Sequence, residues 1–245
     1  MARWFWVSVL VFVAGTNLAS LHAVTLKGRV LVSNPVRTGK QAVDLQVVIW
    51  LTPLSRPADQ SGRITTPDSR PRFRLVQKNK RFDPHMLLVP VGSAVEFPNL
   101  DPFFHNVFSL FEGKRFDLGL YESGSSRVTV FDRPGICYIF CNIHPEMSAV
   151  IVVLATPYFG VTDRKGEITI PDVPPGSYQL HVWYERSAPE VLNGLTREIT
   201  VTENTAILET IHLTESGEMS PSHRNKYGRD YDKPSPSLPG YDPDQ

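Results

Sequence analysis

Residues 141–147 read Cys141-Asn142-Ile143-His144-Pro145-Glu146-Met147, and this stretch decides how the chain is interpreted. On either side lie runs rich in Val, Ile, Tyr and Phe, at 135–141 and 149–154. Runs of β-branched and aromatic residues of this length predict strands, so the stretch is predicted to be the loop that joins them. A thiol, an imidazole and a thioether follow one another in it at intervals of three residues.

A further histidine, His105, stands upstream and is followed by an asparagine. Two imidazoles and a thiolate in a trigonal plane, with a weak axial thioether, are the donors of blue-copper electron-transfer sites. We therefore predict one type 1 copper ion with the ligands His105, Cys141, His144 and Met147. The three downstream ligands would share the loop, and the lone histidine would come from a neighbouring strand end.

With these residues in view, segment 73–154 resembles the cupredoxins. Its ligand loop is similar to that of amicyanin, which has the same C-x2-H-x2-M spacing, whereas plastocyanin and pseudoazurin have a longer interval before the methionine. The similarity extends to the scaffold stretches Phe82-Asp83-Pro84, 91–99 and Pro134-Gly135. The resemblance implies a Greek-key β-sandwich. It also implies that Asn106 ties the two ligand-bearing loops together by hydrogen bonding, as a residue behind the ligands.

Two other metal sites use similar residues. A zinc site is disfavoured because zinc prefers further thiolate, imidazole or carboxylate ligands to a thioether. The binuclear copper site of oxidases carries two cysteines in its loop, and both thiolates must reach one metal pair. Here the interval from the second cysteine to the histidine is one residue short of that pattern.

Cys137 and Cys141 are the two cysteines of the chain. Four residues apart on one strand, their Cα atoms would be about 13 Å apart, whereas a disulfide needs less than about 7 Å. We predict that Cys137 is a buried core thiol on the same strand face as Cys141.

Outward from this segment, the chain consists of short runs of Val, Ile, Phe and Thr separated by Gly, Pro and Asn-Asp signals. No stretch shows a sustained 3.6-residue periodicity, so we predict an all-β protein. The candidate strands are 24–33, 44–51, 73–77, 86–90, 94–97, 107–109, 127–131, 135–141, 149–154, 159–162, 167–170, 177–184, 197–201 and 206–213.

A second module follows Pro157. Its Thr162-Asp163-x-x-Gly166 turn and its Pro174-Pro175-Gly176 turn, each next to a strand, resemble the carboxypeptidase regulatory-like, transthyretin-type β-sandwich. The first half of that sandwich is missing here, but 27–32 and 43–51 near the N-terminus look like it. We expect the cupredoxin domain to be inserted into this sandwich; the alternative is two tandem domains with an N-terminal extension.

The ends of the chain indicate export. An apolar run at 4–14 follows Arg3, and the small residues Ala19, Ser20 and Ala23 would allow cleavage, which is typical of a secretory signal. An uncleaved membrane anchor is the alternative, but the run is shorter than the roughly 20 residues that a span needs.

The predicted organisation is a signal peptide at 1–23, N-terminal strands at 24–56, a linker at 57–71, the cupredoxin domain at 72–154, the second sandwich at 155–215 and a disordered tail with three tyrosines at 216–245.

Lys+Arg and Asp+Glu each number 25, so no basic surface indicates nucleic acid. No nucleophile–base pair or phosphate loop indicates an enzyme. We expect a periplasmic or secreted electron carrier that meets redox protein partners briefly, without stable membrane insertion, and exchanges electrons at the edge of His144. The alternatives are a copper-delivery protein and an extracellular binding module with a structural copper.

The remaining histidines of the folded part, His85, His181 and His212, are predicted to be structural or solvated.

Overall fold

A computed structural model of the chain describes residues 22–33, 46–55, 73–110, 113–215 and 225–231. Almost all of the regular structure in these residues is strand, so the all-β prediction is confirmed. In chain order the elements are β1 (Val24–Ser33), β2 (Val48–Pro53), β3 (Phe73–Arg74), β4 (Val76–Lys78), β5 (Arg81–Asp83), β6 (Met86–Pro90), β7 (Ser93–Pro98), β8 (His105–Ser109), β9 (Phe116–Tyr121), β10 (Ser126–Phe131), β11 (Gly135–Phe140), β12 (Ser148–Leu154), β13 (Phe159–Val161), β14 (Glu167–Val173), β15 (Gly176–Trp183), α1 (Pro189–Leu195), β16 (Arg197–Val201) and β17 (Ile211–Thr214).

The middle of the chain forms two sheets around one hydrophobic core. Their strand orders are β10-β7-β3 and β6-β12-β11-β8-β9. Strand β11 runs antiparallel to both β12 and β8, with Phe140 opposite Ser148 on one side and Phe108 on the other. The shared core contains, from the two sheets, Val95, Phe97, Phe131, Val107, Ile139 and Ile151.

Strands from the two ends of the chain share two further sheets. Strand β1 lies between β14 and β17, and β2 lies between β13 and β15 in the order β13-β2-β15-β16. The two sheets enclose a second core, to which Leu26, Ile49, Ile170 and Leu180 belong. Strands from before and after the middle sandwich in the chain therefore build this second sandwich together. The predicted domain boundaries and the transthyretin-type resemblance stay predictions.

Strand β12 packs on both faces. Alternate side chains of a strand point to opposite faces of the sheet. Ala149, Ile151 and Val153 enter the core of the middle sandwich, whereas Val150 and Val152 enter a third cluster with Val48 and Trp183 of the other sandwich. The continuous apolar run at 149–154 is therefore explained by burial of this strand between two cores.

The structure contains three elements that the candidate strands do not include: α1, β5 and β9. Strand β5 has only three residues, too few to show an alternating pattern. The helix α1 has seven residues and begins with Pro189, and it is too short to show helical periodicity in the sequence. Strand β9 reads Phe-Asp-Leu-Gly-Leu-Tyr, and Gly119 within it has φ +69°. A glycine with positive φ interrupts the regular alternation, so the pattern is weak although the strand pairs with β8.

Several predictions fall on parts of the chain that the structure does not describe. The predicted signal peptide lies outside the described residues except for His22 and Ala23, and the linker at 57–71 lies wholly outside them. The predicted tail is described only at 225–231. Among the described residues, no helix has the length and apolar character that a membrane crossing needs.

Candidate metal centre

The seven residues 141–147 form the loop between β11 and β12, as predicted. Two backbone hydrogen bonds fold the loop back on itself: Met147 N donates to His144 O at 3.0 Å, and Cys141 N donates to Met147 O at 3.3 Å. This closed turn holds Cys141, His144 and Met147 at the end of the middle sandwich. His105 is the first residue of β8, which pairs with β11, so it reaches the same end from the neighbouring strand.

Three of the predicted ligands meet in space. The Cys141 Sγ atom lies 3.7 Å from Nδ1 of His105 and 3.6 Å from Nδ1 of His144. One ligand atom from each residue lies within 4.8 Å of the others. Bonds of about 2.3 Å to sulfur and about 2.0 Å to nitrogen, at trigonal angles, place such donors about 3.7 Å apart. The donor set therefore fits a single transition-metal ion.

The cluster is shielded from solvent. His105 and Cys141 have no exposed surface, and His144 is 6% exposed. Phe103 contacts both imidazoles, with ring centroids 5.2 Å from His105 and 5.5 Å from His144. Burial lowers the pKa of both histidines, which favours the neutral imidazole that binds metals.

The environment of Cys141 combines burial with hydrogen-bond donors. Burial raises the pKa of its thiol, while backbone N–H groups of Asn106, Ile143 and His144 directed at the sulfur oppose that rise. Such donors stabilise a thiolate. A bound metal cation would complete the deprotonation, because metal ligation by cysteine requires the thiolate.

Asp101 lies directly behind His105, a position that the sequence did not indicate. Its Oδ2 lies 2.7 Å from Nε2 of His105, and it accepts hydrogen bonds from the backbone N–H groups of Asn79 and Lys80. Although burial opposes the change, these bonds lower the pKa of Asp101. With Nδ1 of His105 directed at sulfur, Nε2 donates to a carboxylate, as is usual behind metal-binding histidines. An acidic residue in a loop before a histidine is too common to signal this role.

Asn106 lies behind the cluster, but its contacts differ from the expected tie between loops. Its side chain donates to Asp117 Oδ1 on β9 at 2.7 Å, and its own Oδ1 has no hydrogen-bond partner among the described residues. Only its backbone N–H reaches toward the other ligand loop, at the Cys141 sulfur. The side chain therefore connects β8 to β9.

Met147 and Cys137 differ in their relation to the cluster. Met147 is 1% exposed and belongs to the same hydrophobic core as Cys141, at the end of the closed turn. Cys137 is a free, fully buried thiol of that core, and burial raises its pKa to about 11. A buried thiol with a raised pKa is unreactive, and Cys137 is outside the His105–Cys141–His144 cluster.

The other histidines lie away from the cluster. His85 forms an ion pair with Glu185 at 2.7 Å. His181 stacks on Trp50 with ring centroids 5.0 Å apart, and His212 lies exposed on β17. None of them joins the cluster, in keeping with the structural or solvated roles predicted.

A short C-terminal segment lies against the ligand loop. Residues 225–231 were expected to belong to a solvated tail, but Lys226 N donates to Asn142 Oδ1 at 2.9 Å and the Tyr231 hydroxyl donates to Cys141 O at 2.9 Å. The segment holds its own turn, because Asn225 Oδ1 accepts from the backbone N–H groups of Tyr227 and Arg229. A polar turn can thus dock without a hydrophobic core of its own.

Comparison with known proteins finds similarity to solved structures of copper proteins. No family model and no curated protein matches the chain. The copper-containing nitrite reductase of Thermus scotoductus SA-01 is similar at 26% identity and a TM-score of 0.33, over 34% of this chain and 22% of that one. This chain therefore spans about a fifth of that protein's length.

Two smaller proteins are similar over the same share of this chain. One is a purple cupredoxin from Nitrosopumilus maritimus, at 23% identity and a TM-score of 0.31, covering 34% of this chain and 99% of that one. The other is a mutant of amicyanin in its Cu(I) form, at 19% identity and a TM-score of 0.32, covering 34% and 82%. Since these TM-scores are low, the assignment of the metal rests on the donor set described above.

Proposed function

We propose that this chain is a type 1 copper protein that passes single electrons between redox proteins, with His105, Cys141, His144 and Met147 as the ligands. The observation that carries the proposal is the convergence of two imidazole nitrogens and one thiol sulfur within 4.8 Å in a buried pocket. When bound, copper would supply a one-electron couple between Cu(I) and Cu(II). The mixture of nitrogen, thiolate and thioether donors suits both oxidation states.

The protein's part is to hold the donors still. The loop turn fixes Cys141 and His144, and Asp101 orients the His105 ring. Backbone N–H groups directed at the sulfur stabilise the thiolate charge without any movement. A site that changes little between oxidation states exchanges electrons with little reorganisation.

The residues beside the two histidines offer a surface for partners. Ile143, next to His144, is 43% exposed, and Phe104, next to His105, is 55% exposed. Exposed apolar side chains at the metal end support brief encounters with a redox protein, and redox encounters bury small areas.

Burial of the ligands favours electron transfer over copper delivery. A delivery site must release its metal to an acceptor, whereas His105, Cys141 and Met147 are 1% exposed or less.

We further propose that the mature protein works in the periplasm or outside the cell. The support is the N-terminal sequence, with its short apolar run and small residues. N-terminal sequencing of the protein recovered from the periplasm or medium tests this, and a mature chain that still begins at Met1 contradicts it.

The central test is the absorption spectrum of the purified chain after addition of one equivalent of Cu(II). A type 1 site gives intense thiolate-to-copper absorption in the visible range, which ascorbate abolishes and reoxidation restores. Stopped-flow reduction then separates the functions. Rapid reversible reduction supports the carrier, whereas slow transfer of copper to a chelator or acceptor without redox turnover supports delivery. A colourless copper complex contradicts the proposal.

A further inference from the structure

The C-terminal segment 225–231, here called the C-terminal clamp, touches both parts of the chain that carry the predicted ligands. One arm reaches the loop 141–147, through Lys226 N to Asn142 Oδ1 and through the Tyr231 hydroxyl to Cys141 O, each at 2.9 Å. These contacts join residues 84 and 90 positions apart in the chain. The clamp therefore holds the carbonyl of the sulfur ligand itself.

The other arm reaches the histidine side. Lys226 Nζ donates to Asp117 Oδ2 at 2.8 Å, and the other oxygen of the same carboxylate accepts from the Asn106 side chain at 2.7 Å. Asn106 directly follows His105, and its backbone N–H is directed at the Cys141 sulfur. A continuous chain of polar contacts thus runs from Lys226 through Asp117 and Asn106 to the thiol.

These contacts are partly shielded from water. Asn106 is 1% exposed, and the side chains of Lys226 and Asp117 are 22% and 40% exposed. Hydrogen bonds that involve a charged group are stronger than neutral ones, and partial burial limits their screening.

We propose that the C-terminal clamp is a positioning element of the metal centre, which fastens the loop 141–147 to strand β9 and so fixes the distance between Cys141 and the histidine side. The sequence resemblance assigned this tie to Asn106 alone. In the structure the Asn106 side chain reaches only as far as Asp117, and Lys226 extends the connection to the ligand loop. Lys226 and Tyr231 are the two positioning residues.

This inference deepens the proposed function, because the fastened region is the one that would bind copper. The clamp should slow the opening of the loop whether or not metal is bound. It should also slow the loss of copper, since Cys141 and His144 can leave the metal only when the loop opens.

The test uses the full-length chain with Tyr231→Phe, Lys226→Met and the double variant. Lys226→Met has a matched control in the same segment, Arg229→Met, which removes one positive charge from an exposed position. All variants are compared by amide hydrogen exchange without metal and by the rate at which a Cu(I) chelator, bathocuproine disulfonate, removes copper from the reduced protein.

We expect the double variant to increase the exchange rate of the Met147 amide, and the rate of copper removal, about tenfold, as the loss of two hydrogen bonds implies. Both rates in the Arg229→Met control should stay within about twofold of the wild-type rates. Equal rates in the wild type and the double variant overturn the clamp. Faster exchange without metal supports the clamp even if the copper-loaded protein is colourless, so the clamp and the proposed function can fail separately.

Discussion

His105 donates from Nε2 to Oδ2 of Asp101 across 2.7 Å, in a place where neither side chain is more than 5% exposed. Because Nδ1 of the same ring faces the Cys141 sulfur, the carboxylate sets both the tautomer and the orientation of the ring. Two backbone N–H groups hold the carboxylate in turn. The His105 ring is therefore ordered by a layer of residues behind it.

Substitution Asp101→Asn tests this layer. The variant keeps the side-chain volume but removes a buried negative charge and the strong acceptor for Nε2, so copper affinity should fall about 10–100-fold. The reduction potential should rise, because the lost charge stabilised Cu(II) more than Cu(I). Competition with a chelator and voltammetry measure both. The control Asp132→Asn, at a carboxylate 58% exposed, should change neither; unchanged affinity in Asp101→Asn would show that the carboxylate plays no part.

The two cysteines provide a second, internal comparison. Cys141→Ser should abolish the thiolate-to-copper absorption, because serine cannot supply the charge-transfer sulfur. Cys137→Ser should keep the absorption and instead lower the free energy of unfolding by about 1–3 kcal/mol, since it buries a hydroxyl in an apolar core. Copper titration and chemical denaturation measure the two effects. Loss of colour in Cys137→Ser with colour retained in Cys141→Ser would reverse the ligand assignment.

The axial ligand is tested by Met147→Leu. Leucine has a similar volume and fits a position 1% exposed, so the fold should be kept and copper should still bind. Removal of the thioether takes a donor from Cu(II), and the reduction potential should rise. Voltammetry of the two proteins measures the shift. A potential equal to that of the wild type would mean that the sulfur of Met147 is not directed at the metal.

The sequence was most informative where the contacts are local. Cys141, His144 and Met147 lie within seven residues, so one loop between two strands was enough to place them together. His105 could be added because the donor set of a type 1 copper site requires a second imidazole. The resemblance indicated which histidine supplies it. The all-β class followed from the same short apolar runs.

The remaining features depend on contacts that spacing does not encode. Asp101 acts because the loop before β8 turns it behind His105, and an isolated acidic residue gives no sign of that turn. Tyr231 and Cys141 are 90 residues apart, and the polar composition around the tyrosine is as typical of a free tail as of a docked turn. Strand β9 was missed because Gly119 interrupts its pattern.

The contact between the two sandwiches gives a prediction about pH. His85 lies before β6 and donates from Nε2 to Glu185 Oε2 across 2.7 Å, while its Nδ1 lies 3.2 Å from Ser148 O. The hydrogen bond to Glu185 raises the pKa of His85, against burial and the nearby Arg186, which lower it. The folded protein therefore binds a proton more tightly here than the unfolded chain does.

The sign of the effect follows from that difference. A raised pKa contributes stability that is fully present below the ordinary value of 6.5 and is lost as the pH rises through the raised value. Because the His85 side chain is 46% exposed, solvent screening limits the contribution to about 1 kcal/mol or less. His85→Gln should therefore lower the unfolding temperature more at pH 5.5 than at pH 9. Glu185→Gln should have the same effect. The unfolding temperature of the double variant should fall no further than that of either single variant. His212→Gln, at an exposed position on β17, is the control, and equal losses for His85→Gln at the two pH values would contradict the role of this ion pair.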